Sequence, residues 1–226
     1  VPKFQLKNKI VEPMHSANWI GEKNSEDLPG ILKNLSGEFP CVPFGINTPI
    51  EQLSDEWKET YSEKPYVINE PHGFSANNTW EVIEHTENKA SFKIKYPEED
   101  LIEYLIRTIE VNNSEPSIVK CKLIVKVKTD CSLPIGLHPM IKVPSEKNKL
   151  KILPGKFDFG LTYPGILLKG KTLGAINKKF TSIENVPSIT GEEIDISTPP
   201  FDGNYEDLFQ LCGIDGNMQI LNYLDN

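Results

Sequence analysis

Between residues 89 and 128 the chain alternates apolar and polar residues with a period of two, a pattern that only a paired strand can use on both faces. Phe92, Ile94 and Tyr96 interleave with Ser91, Lys93 and Lys95, and further on Val119, Cys121, Leu123, Val125 and Val127 interleave with Lys120, Lys122, Lys126 and Lys128, interrupted at Ile124. Such segments bury one face and wet the other. Residues 102–111 differ, with Ile102, Tyr104 and Ile106 on one parity and Leu105, Ile109 and Val111 on the other, which predicts a strand covered on both sides. Polar runs at 98–100, 112–116 and 129–130 supply the turns, so an antiparallel meander is expected.

The rest of the chain is punctuated by Pro and Gly (18 and 15 of 226 residues) and holds no amphipathic helix of useful length. A short strand is expected at residues 4–7, a helical turn opened by Pro29 at 28–35, and another within 50–58. Segments 13–19 and 39–45 read as ordered loops, the second fixed by Pro40, Pro43 and Gly45. The class is all-β, as one domain over 1–226: two large antiparallel sheets stacked as a sandwich.

Charge narrows the partners. With 24 basic against 32 acidic residues the net charge is −8, which opposes nucleic acid and anionic membrane, and favours a neutral or cationic small molecule or no charged partner. Arg107 is the sole Arg, so no multi-arginine phosphate clamp can form. No apolar run nears the roughly 20 residues that span a bilayer. Cys41, Cys121, Cys131 and Cys212 show no Cys-x-x-Cys spacing, and reduced thiols in the cytoplasm are expected.

Two histidines sit in matched settings. His72 lies in Glu70-Pro-His-Gly-Phe-Ser-Ala-Asn-Asn-Thr-Trp80 and His138 in Leu133-Pro-Ile-Gly-Leu-His-Pro-Met140, each at a Pro/Gly turn beside a strand-like segment. An imidazole titrates near neutral pH, so one can donate a proton while another bonds the substrate. Two turn histidines capping carbonyls is the bland alternative, and it predicts that the rings lie far apart. Around them, His15 and Trp19 in Pro13-Met-His-Ser-Ala-Asn-Trp19 are candidates to line a pocket. Asn77 is a candidate to bond a hydroxyl or shape its turn. Asp202, Glu206 and Asp207 in Phe201-Asp-Gly-Asn-Tyr-Glu-Asp-Leu-Phe209 are candidate hydroxyl-binding carboxylates. No two His are closer than thirteen residues, and no His/Cys/Asp set has ligand spacing, so no metal site is expected.

Taken together, His72-Gly-Phe-Ser-Ala-Asn-Asn-Thr-Trp80, Gly136-Leu-His-Pro139 and Asp207-Leu-Phe209, in that order, resemble the aldose 1-epimerase (galactose mutarotase-like) family. The segments Gly37-Glu-Phe-Pro-Cys-Val-Pro-Phe-Gly45 and Pro13 to Trp19 resemble a bacterial branch of it, and the likeness runs over about residues 13–209. It implies a β-supersandwich with a sugar cleft, no cofactor, and anomer exchange by acid–base ring opening. By motif, His138 matches the general acid, His72 the second histidine that holds the ring, and Asp207 the hydroxyl-binding acid, with Glu206 in its place if the register slips by one. Ala76 stands where many relatives have Arg, which disfavours a phosphorylated sugar. Nothing after Asp207 resembles the family's base Glu, so the chain reads as lacking a C-terminal segment or as a non-catalytic, carbohydrate-binding relative.

Overall fold

The computed structural model describes residues 3–6, 8–28, 30–46, 53–58 and 68–223. The chain is mostly β, built from several small antiparallel sheets and a few one-turn helices, and among the described residues the largest sheet has four strands. It divides into two compact units: Val1–Asn47 with Tyr66–Ile141, and Thr48–Pro65 with Lys142–Asn226.

The first unit opens with a hairpin of β1 (Phe4–Leu6) and β2 (Lys9–Val11), followed by β3 (Glu38–Cys41). Its body is the four-stranded meander of β4 (Glu81–His85), β5 (Lys89–Lys95), β6 (Ile102–Asn112) and β7 (Glu115–Val127). The turns use the polar residues read from the sequence. Asp100 Oδ1 accepts the Ile102 amide (2.9 Å) and Asn112 Oδ1 that of Ser114 (3.0 Å), each side chain standing in for a missing backbone partner. One face of the meander is the core, where Ile94, Tyr96, Ile102 and Leu105 close on Val42, with Phe74, Trp80, Leu123, Val125 and Leu133 packed around them. The other face of β6, with Tyr104, Ile106 and Thr108, is half-buried, and on the core face burial ends before Ile109, which is exposed. Paired on both edges by β5 and β7, β6 shelters its second face among neighbouring side chains; Lys93, for example, lies over the Tyr104 ring at 4.3 Å.

Segment 39–45 departs from the loop expected there. Its first half is β3, paired antiparallel with β8 (Gly136–Pro139) so that Phe39 faces His138 and Pro40 faces Leu137. A strand can carry Pro40 where the imino nitrogen meets no ladder acceptor, as at a sheet edge, and β3–β8 is a two-stranded ribbon. Beneath it, the Arg107 guanidinium donates to the Glu38 carboxylate, with side-chain exposures of 6% and 19%.

The second unit holds β9 (Leu150–Leu153), β10 (Phe159–Thr162), β11 (Lys179–Phe180), β12 (Val186–Pro187), β13 (Glu193–Ile194), β14 (Phe209–Cys212) and β15 (Gln219–Asn222). They pair as β11–β10–β14, β12–β13 and β15–β9. Phe180, Ile183 and Val186 form its core, packed against Ile152, Phe157 and Phe209 among others. Gly160 leaves room for the Phe180 ring, which a Cβ there would strike. The helical turn Asp55–Lys58 joins this unit through the Trp57 indole, which donates to the Thr162 carbonyl (3.0 Å). Pro29 and residues 59–67, on which part of the expected helical turn and connection fall, lie outside the described residues.

Candidate functional site

His72 is set by backbone as much as by side chain. It has φ of 61° and Gly73 of 78°, so two successive residues lie in the left-handed region before the one-turn helix Phe74–Asn77 begins. For a non-glycine residue that conformation costs about 1–2 kcal/mol, and it persists only where surrounding bonds enforce it. They do here. The His72 amide donates to Gly45 O (2.7 Å), the Gly73 amide to Glu70 O (2.8 Å), and Asn77 Nδ2 donates to both Pro71 O and Gly73 O (2.7 and 2.8 Å). Ser75 ties the helix to the β3 segment, donating to Pro40 O (2.9 Å) and accepting from the Val42 amide (3.1 Å).

A Cβ at Gly73 would come within 2.5 Å of Val42 O and 2.6 Å of Pro43 O, with backbone on both sides and no flexible group to yield. Gly73→Ala should therefore destabilise the protein by roughly 1–3 kcal/mol. Urea unfolding checks this, and an unchanged midpoint would show that the loop relaxes freely.

The clamp brings the two histidines together. The imidazole centroids of His72 and His138 lie 5.4 Å apart, edge to face at 73°. Phe39, opposite on the ribbon, stacks on His138 at 4.8 Å and 10°, and Phe44 leans on His72 at 5.4 Å. Gly136 is required here, since a Cβ would enter the Phe44 ring. Nδ1 of each histidine is buried and makes no hydrogen bond among the described residues. Buried polar atoms are nearly always bonded, so two nitrogens on adjoining rings without a partner among the described residues stand out.

Burial holds the His72 pKa below the ordinary 6.5, and the neighbouring His138 lowers it further. The folded state thus binds this proton less readily than the unfolded chain does. Its contribution to stability is present above 6.5 and is lost as pH falls through the lowered value. In an NMR titration the His72 ring should titrate below 6.5; titration at or above that value would mean that the rings do not adjoin in solution.

Of the other candidates, His15 lies at the end of the same ribbon, its amide bonded to Met140 O (2.8 Å) and its carbonyl to the Gly37 amide (2.9 Å), with an exposed side chain. Trp19 fastens its own loop, the indole donating to Leu32 O (2.8 Å). Asn77 has its amide turned inward: besides the two bonds above, Oδ1 accepts from the Ile31 amide (2.8 Å), which makes it the builder of the His72 turn. Asp207 and Glu206 belong to the second unit. Asp207 Oδ2 accepts from the amides of Leu173 and Gly174 (2.8 Å each) and Oδ1 from Leu208 (2.9 Å), while Glu206 is exposed. Among the described residues no group of three or more His, Cys, Asp or Glu side chains could hold a metal ion, and no helix is long and apolar enough to cross a membrane.

Phe39, Phe44 and the Arg107–Glu38 pair are the parts of this region that sequence reasoning did not single out. The two phenylalanines left a trace, since apolar side chains interleaved with prolines need something to pack against. The ion pair left none, its members being 69 residues apart. Compared with protein-family models, curated proteins and solved structures, the chain matches none.

Proposed function

We propose that the chain is an aldose 1-epimerase, which interconverts the α and β anomers of a free aldose. One observation carries this reading: imidazoles 66 residues apart in sequence (138 minus 72), one from a turn and one from β8, adjoin at 5.4 Å, each with a buried Nδ1 that has no partner among the described residues. Turn histidines with only a structural role have no reason to meet, and the meeting pair is the one that the ordered motifs mark.

In this mechanism His138 protonates the ring oxygen while a carboxylate base removes the proton of the anomeric hydroxyl. The ring opens, the C1–C2 bond turns, and reclosure from the other face gives the second anomer. His72, its pKa lowered by burial and by the neighbouring His138, stays neutral at neutral pH and can hold the ring by a hydrogen bond. Phe39 and Phe44 hold the two rings in place. The reaction needs neither cofactor nor metal. Glu38 is not the base, because it points to the far side of β3 from Phe39 and is committed to Arg107.

The fold that accompanies this reading is the galactose mutarotase-like supersandwich, supported by the antiparallel meander and the β3–β8 ribbon, and a reducing cytoplasm suits four free cysteines. A second reading is a carbohydrate-binding relative without turnover, in which the same unpartnered nitrogens on adjoining rings bond sugar hydroxyls. Polarimetry of freshly dissolved α-D-glucose and α-D-galactose decides between them. The epimerase should accelerate the decay of optical rotation in proportion to protein concentration. No acceleration with either sugar overturns turnover, and saturable binding of the same sugars by calorimetry would then carry the second reading.

A further inference from the structure

The second unit contains a groove of about 330 Å³ formed wholly by its own residues, at the lower end of the roughly 300–1,000 Å³ typical of small-molecule sites. It is lined by the aromatic Phe201 and Tyr205, the apolar Leu173 and Ile194, and the polar Asp195, Thr198, Asn148 and Lys147–Asp202 pair. We propose that this groove is a saccharide subsite that takes a single neutral sugar ring. The inference does not depend on the His72–His138 reading.

Three features carry it. The first is a presented aromatic face. Gly203, at φ of 119°, brings the Tyr205 ring so close that a Cβ would sit 2.8 and 2.9 Å from two of its carbons, and yet the residue remains 42% exposed. A ring folded back on its own turn and still facing solvent is a platform for the C–H face of a sugar.

The second feature is rigidity. The Asp207 carboxylate grips the amides of Leu173 and Gly174, and the Glu206 amide donates to Lys171 O (2.9 Å), so the loop that bears Tyr205 is bonded to the segment that brings Leu173 to the groove. A preformed groove spares a ligand the cost of ordering it. Asp207 therefore serves a sugar as a shaper of the site, since its own oxygens are occupied.

The third feature is charge. Lys147 meets Asp202 at 2.5 Å, so the groove supplies that carboxylate with its own cation, and Asp195 leaves a net negative balance. Phosphates and other anions are disfavoured, and a cationic ligand would have to displace Lys147. Hydroxyls suit what remains. Asp195 Oδ1 is fixed by the Ser197 amide (2.7 Å), and the lining residues Asp195, Asn148 and Thr198 carry both acceptors and donors.

The probes are methyl α-D-glucopyranoside and methyl β-D-galactopyranoside, whose locked anomeric centres prevent turnover and separate this test from polarimetry. On the intact ¹⁵N-labelled chain, either glycoside should shift the amides of Asp195, Phe201 and Tyr205. Tyr205→Ala should weaken binding, read at these amides, roughly tenfold. The amide map on the unaltered chain keeps the test independent of whether the Tyr205 variant folds. Shifts confined to the surroundings of His72 and His138, or no shifts at tens of millimolar glycoside, overturn the proposal.

Discussion

Replacing His138 with alanine should lower the acceleration of mutarotation by about 10²–10⁴-fold, the usual share of a positioned acid, while thermal stability changes little. The expectation rests on geometry. His138 is held by a parallel stack on Phe39 and by its place in the β3–β8 ladder, and its Nδ1 serves no structural bond among the described residues. Removing the ring leaves the ribbon intact, because its pairing is made by the backbone. The pH profile gives a second readout. Two rings 5.4 Å apart resist carrying two charges, so the second proton joins the pair only below the ordinary histidine range. Activity that depends on a neutral His72 should fall on an acid limb lying below 6.5, and that limb should vanish in His72→Ala. A His138→Ala protein that retains full acceleration, or an acid limb that persists without His72, would remove the pair from the mechanism.

The sequence announces the meander because its strands bury one face, and a buried face must repeat every second residue. Ile94, Tyr96, Leu123 and Val125 lie where the alternation puts them. β6 was less legible: apolar residues on both parities suggest two covering layers, whereas one face rests on the core and the other on lysine stems and neighbouring strands. β3 was hidden by Pro40, since proline argues against a ladder unless its nitrogen meets no acceptor there, and that depends on a partner almost a hundred residues away (Leu137 opposite Pro40).

The histidines were legible as a pair through their matched Gly/Pro settings. The conformation of His72 was not. Nothing in a histidine signals a positive φ, which is imposed by bonds from Gly45 and from the Asn77 turn. Asn77 and Asp207 were legible as polar residues that needed partners, but the choice between a ligand and the protein's own amides is decided by Ile31, Leu173 and Gly174, all more than 30 residues distant.

Glu38→Ala should cost roughly 3–5 kcal/mol of stability, the largest loss expected of any single substitution in the first unit. Arg107 has a side chain only 6% exposed, and Glu38 is the carboxylate it meets; truncating Glu38 strands a guanidinium that cannot shed its charge. The pair itself need not be a net stabiliser. Desolvating two ions offsets most of their attraction, so Glu38→Leu combined with Arg107→Met should recover most of what Glu38→Ala loses. Cys41 supplies an internal gauge. Buried at the end of β3, its thiol is pushed up to about 12, first by burial and then by Glu38, so in the folded protein it should resist alkylation at neutral pH. Removing Glu38 lowers that pKa and raises the population of opened molecules, and both changes speed labelling of Cys41. Urea unfolding and iodoacetamide kinetics on the single and double variants measure the effect. If Glu38→Ala shifts stability by less than about 1 kcal/mol and leaves Cys41 unreactive, the guanidinium has found water or another partner, and the ion pair does not hold the ribbon that carries His138.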